Sequence, residues 1–195
     1  MRTWFQKNAE YVGWFAVWLF IGFFLCMTTI EVMAEFTLNE LPLQYIAPFK
    51  LVIYDVLFLL FLYGIRGFAI RVSDPNLVKT MNSLMLLSFF EMLFFLPYAF
   101  SLFVEPNFLT ILLTATIPLF CVNGILLLRL ADNFGSHVES FGVPAKRIVL
   151  WNKIAGWMMA SVVLILPGII VSLVGEFFLW RLLARSRKQT VVAAV

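Results

Sequence analysis

The chain has 195 residues, 63% of them hydrophobic and 13% charged, with a formal net charge of +3. Soluble domains carry about a quarter charged residues, so this composition excludes a soluble protein and places the chain in lipid. No Lys/Arg stripe with interleaved aromatics lies outside the apolar runs, which argues against a nucleic-acid surface.

Residues 11–33 form the first apolar run, with Trp14, Trp18, Gly13 and Gly22 inside it, and are long enough to cross a bilayer as one helix. Arg2 and Lys7 precede the run, and Val32-Met33-Ala34 loosely resembles a signal-peptidase site. The run is about twice the length of a signal-peptide core, and Glu31 stands just before the would-be cut, so it reads as a retained span. Glu31 and Glu35 close it, one helical turn apart on one face. The linker that follows has Glu40 and Pro42 but no base. A second span over 48–66 opens at Pro48, a favourable first-turn residue, and carries Lys50 at its start and Asp55 further in. Glu31, Glu35 and Lys50 therefore meet at one membrane edge, as an ion pair or as three separately solvated charges.

The loop 67–79 holds Arg71 and Lys79, with Ser73 or Asp74 as the cap of the next helix. The third span, 81–103, carries Glu91 near its midpoint. An ionised carboxylate at the bilayer centre costs at least a few kcal/mol, so this acid is protonated, paired, or turned towards protein or water. Ser88, Glu91, Tyr98 and Ser101 fall on one helix face. Four residues, 104–107, separate this span from a fourth over 108–128, which makes the two antiparallel neighbours. The fourth carries Thr110, Thr114, Thr116 and Pro118, read as backbone-bonding and packing residues, and Asn123.

Counted from the outer helix ends, Asp55, Glu91 and Asn123 lie within about 10 Å of one another along the membrane normal. The candidate intramembrane polar site is therefore Glu91, Asp55, Asn123, Ser88 and Tyr98. On one reading Glu91 titrates in a proton- or cation-handling site, with Asp55 as a coupled second carboxylate. On the other, a protonated Glu91 is hydrogen-bonded across helices as packing glue.

A polar connection over 131–152 contains His137, read as a solvated loop residue, and Pro144, which opens a short interfacial helix. The last apolar stretch, 154–180, is interrupted by Leu166-Pro167-Gly168 and followed by Arg181, Arg185, Arg187 and Lys188. Each arm of that stretch reaches only about 20 Å, so it is a re-entrant hairpin turning at Pro167-Gly168 or one kinked fifth span. Glu176 within it snorkels towards the cytoplasm or, if the segment is a full span, is a third buried acid. With the hairpin, every one of the 14 Lys and Arg residues except Lys50 falls on one side. The positive-inside rule makes that side cytoplasmic, the N-terminus included.

The expected fold is an all-α integral membrane protein, one polytopic domain over 1–195 with four transmembrane helices plus a C-terminal Pro-Gly-broken hydrophobic segment. With two Cys, one His, no Gly-rich phosphate loop and no GxSxG or HExxH motif, no catalytic, metal-binding or cofactor-binding residue is assigned. The expected function is a non-enzymatic subunit or accessory protein of a larger complex in the plasma or inner membrane, partnered by lipids and by other membrane subunits or copies of itself. The alternative is a small proton- or cation-coupled transporter or channel, with a lipid-metabolising enzyme third.

Overall fold

The computed structural model describes residues 8–36, 41–100, 106–161 and 163–192, with side chains for 8–33, 50, 52–94, 114, 116–161 and 163–186. Among these residues the chain is helical, joined by short turns: α1 (Ala9–Phe36), α2 (Leu41–Arg71), α3 (Pro75–Phe100), α4 (Pro106–Gly135), α5 (Val138–Phe141), α6 (Val143–Ala160) and α7 (Ile165–Val192). Five helical stretches among them are long and apolar enough to cross a membrane: Ala9–Met33, Val52–Arg71, Pro75–Phe94, Thr116–Gly135 and Ile165–Ser186. The protein is an all-α membrane protein.

The count of four spans plus a broken segment is not confirmed: five stretches qualify, and the interruption within 154–180 falls before Pro167-Gly168 rather than at it. The chain turns at Ser161 and at 163–164, and α7 then runs unbroken through Pro167 and Gly168. The reason is local: Pro167 is the third residue of α7, where a helix has no partner for the missing N–H in any case. The polar connection is also mostly helix. Pro144 does open a helix, but α6 has 18 residues, a length of about 27 Å, and packs along both α4 and α7. At the other end of the chain, α2 begins at Leu41, so Pro42 rather than Pro48 occupies its first turn.

Consecutive long helices pack side by side, and α7 returns against α1 and α2 to close the ring. Contacts fix each register. Arg66 Nε donates to Asn82 Oδ1 at 2.6 Å between α2 and α3, and Asn133 Nδ2 to Thr80 Oγ1 at 2.9 Å between α4 and α3. Both pairs join the end of one helix to the start of its neighbour, so the neighbours are antiparallel. Two close approaches depend on absent side chains. A Cβ on Gly13 of α1 would lie 2.5 Å from the Cα of Gly64 in α2, and one on Gly124 of α4 would lie 2.8 Å from the Gly156 carbonyl of α6. Small residues of this kind let backbones meet in lipid, where no hydrophobic force drives helices together.

The buried core gathers Phe61, Ile65 and Phe68 of α2, Leu77 and Met81 of α3, Leu130 and Phe134 of α4, Ile148 of α6 and Leu183 of α7. It lies towards one end of the bundle. At that end Arg71 Nε pairs with Glu10 at 3.1 Å, and Ser186 bonds both Arg71 and Glu10. The start of α1, the end of α2 and the end of α7 therefore share one polar face.

Candidate functional site

Buried positions of α3 recur at helical spacing, Leu77, Met81, Leu84 and Leu87, and Glu91 continues that row. The side opposite, with Leu86, Phe89, Phe90 and Leu93, is exposed for lipid contact. On α2 the row Leu62, Ile65 and Ala69 extends back through Phe58 to Asp55 in the same way. The core faces of both helices thus end in an acid.

Both lie 16 residues from the polar face, Asp55 from Arg71 and Glu91 from Pro75, or about 24 Å along the helices. Neither forms an ion pair among the described residues, and Glu91 Oε1 is buried with no hydrogen-bond partner there. A buried carboxyl used as packing glue is expected to have its oxygens bonded. Ser88 is half-buried one turn before Glu91, and Asn123 is half-buried on α4. The side chain of Tyr98 lies outside the described residues.

At the opposite membrane edge, Lys50 Nζ donates to both carboxylate oxygens of Glu31, at 2.8 and 2.9 Å. Of the two arrangements considered for these charges, Lys50 and Glu31 adopt the ion pair; the side chain of Glu35 lies outside the described residues. Lys50 also sits 6.0 Å from the centre of the Tyr54 ring, which packs on Phe20 and Phe23 of α1.

Two further features stand out. Glu176 follows the second of its two readings, an acid within a full span: it lies ten residues before Ser186, about 15 Å into the membrane from the polar face, and opens onto an apolar cavity of about 290 Å³ between α1, α2 and α7 that the sequence did not announce. Phe20, Phe58, Phe61, Phe177 and Trp180 line that cavity with it.

His137, read as solvated, is instead half-buried with Nε2 2.7 Å from Asp74 Oδ2. Asp74 Oδ1 accepts the backbone N–H groups of Asn76 at 2.9 Å and Leu77 at 3.0 Å, so this one residue caps α3 and holds His137. Partial burial works against its charge, but the Leu77 N–H, the His137 bond and the Asn76 N–H together hold its carboxyl below the ordinary 3.8. The D-P pair announced the cap; nothing local announced a histidine 63 residues away.

Among the described residues, no three His, Cys, Asp or Glu side chains are grouped to hold a metal ion. No protein-family model, curated protein or solved structure matches the chain.

Proposed function

We propose that the protein is a small, non-enzymatic proton- or cation-coupled membrane transporter or channel in which Glu91 and Asp55 carry the titrating charge. One observation supports this above all: two carboxyl groups, each on the core-facing row of its own helix, lie inside the membrane with no base paired to either among the described residues. Ionisable side chains at that depth are costly and mark ion or proton pathways. A pair of acids without a counter-ion gains a favourable partner only when a proton or cation arrives.

The face bearing Glu10, Arg71 and Ser186 is cytoplasmic in this proposal, because the bases concentrate there. The membrane is a plasma or inner membrane. The purified protein in liposomes should acidify the lumen under an imposed inward proton or potential gradient. Vesicles with the protein that behave as empty ones would refute the reading.

A second reading, a subunit or accessory protein of a larger membrane complex or of a homo-oligomer, is favoured by α1. Beyond its contacts with α2 and α7, much of its apolar surface is exposed, including Leu19, Phe24 and Leu25. Recovery of a stable hetero-complex or oligomer from mild detergent would support that reading.

A further inference from the structure

At the polar face the first turn of α6 meets the last turns of α7 around a cavity of about 160 Å³. Its lining is Val143, Pro144, Arg147, Phe178, Arg181 and Arg185. Three guanidinium groups thus face one small space, and none has a carboxylate within ion-pair distance among the described residues. Three like charges brought together repel each other unless an anion lies between them. The backbone positions of α6 and α7 nonetheless bring them to one cavity. Arg147 stands 5.2 Å from the centre of the Phe178 ring, which is itself buried and forms the apolar floor. Arg181 and Arg185 follow Phe178 at spacings of three and four, on one face of α7.

The depth of the cavity decides between kinds of anion. Arg185 adjoins Ser186, the residue that ties Arg71 to Glu10 at the membrane edge, and Arg181 lies about 6 Å further in. That is headgroup level. From Arg147 an exposed apolar row runs along α6 through Leu150, Ile154 and Trp157, at spacings of three, four and three. The row leads from the guanidinium groups towards the bilayer interior, the path that acyl chains take. Guanidinium forks match phosphate oxygens bidentately, better than they match a monodentate anion.

We propose that Arg147, Arg181 and Arg185 bind the phosphate of an anionic phospholipid, its chains lying along the Leu150, Ile154 and Trp157 face. The site is separate from the Asp55–Glu91 pair, and its fate does not depend on that pair's function.

The test uses the whole purified protein in mild detergent, with phosphatidylglycerol, phosphatidylcholine and inorganic phosphate each added as a probe. Binding is read by native mass spectrometry and by thermal stabilisation. Phosphatidylglycerol should be retained and should stabilise the protein, while phosphatidylcholine and inorganic phosphate do so weakly. Removing one charge with the exposed-site variant Arg181→Gln should weaken phosphatidylglycerol about fivefold, and the triple Gln variant about a hundredfold. The lipid-free melting temperature of Arg181→Gln should not fall, since one like charge is removed, which keeps the test valid if the triple variant misfolds. Equal affinity of Arg181→Gln and the parent for phosphatidylglycerol would overturn the proposal. So would inorganic phosphate displacing the lipid outright, which would make this a soluble-anion site, or no lipid preference at all, which would leave the arginines to a partner protein's carboxylates.

Discussion

Replacing Lys50 by Ala should destabilise the bundle through Glu31 and not through Glu35. The Lys50 ammonium reaches both Glu31 oxygens at 2.8 and 2.9 Å, and the two side chains keep only 24% and 32% of their exposure. Solvated surface pairs contribute about 0.2–1 kcal/mol. Partial burial and two-oxygen geometry put this pair at the upper end of that range, a coupling of about 1 kcal/mol. For a chain of this length that corresponds to roughly 2–4 °C in melting temperature. The assay is a double-mutant cycle on thermal unfolding in detergent with Lys50→Ala, Glu31→Ala and the pair. The double variant should melt higher than the sum of the single losses predicts, by that amount. Glu35→Ala should combine additively with Lys50→Ala. Additivity between Lys50 and Glu31 would show that the two charges are independent and that the contact contributes nothing.

Gly13→Ala should cost about 1–3 kcal/mol, because its Cβ would press on the Gly64 backbone, which cannot yield as a side chain can. Gly22→Ala on the same helix should be neutral or slightly stabilising, since nothing lies within 4 Å of a Cβ there. Both are read as melting temperatures. Asp74→Ala should lose about 1 kcal/mol with the cap, and more if His137 is left without its partner. The Asp74 carboxyl is held below 3.8 in the fold, so its stabilisation is complete above that pH and disappears as the pH falls through the lower folded value. Acid unfolding of Asp74→Asn should therefore be less steep below about pH 4 than that of the parent. A cysteine at the exposed position Arg185, in a Cys26→Ser/Cys121→Ser background, should resist impermeant thiol reagents in intact cells and react once the membrane is opened. Labelling from outside would reverse the proposed orientation.

Local signals in the sequence carried the fold a long way. Long apolar runs gave the first four spans, Asp74 announced its cap, and opposite charges flanking a short linker gave the Lys50–Glu31 pair. The end of the chain was harder, because a Pro-Gly pair marks a break in the middle of a helix and is harmless in its first turn. Only the register set by Met159 against Gly168 and Asn152 against Gly175 shows which case applies. The length of α6 was hidden because Lys146, Arg147 and Lys153 make the stretch look mostly like a loop, though Lys153 pairs with Asp132 of α4 and Arg147 lies over Phe178. Counting turns placed Asp55 and Glu91 at comparable depth. It could not place the cavity that Glu176 faces, which is built by α1 and α2, more than a hundred residues away in the chain.

The most direct measurement on the central claim is Glu91→Gln in the liposome flux assay, alongside its melting temperature and its elution profile. The amide keeps the shape of the acid and its capacity for hydrogen bonds but cannot titrate. If Glu91 and Asp55 carry protons or cations, the variant should fold and elute like the parent and show no flux above empty vesicles. A Glu91→Gln protein that transports as fast as the parent would contradict the account, and this acid would then serve only as a contact between α2 and α3.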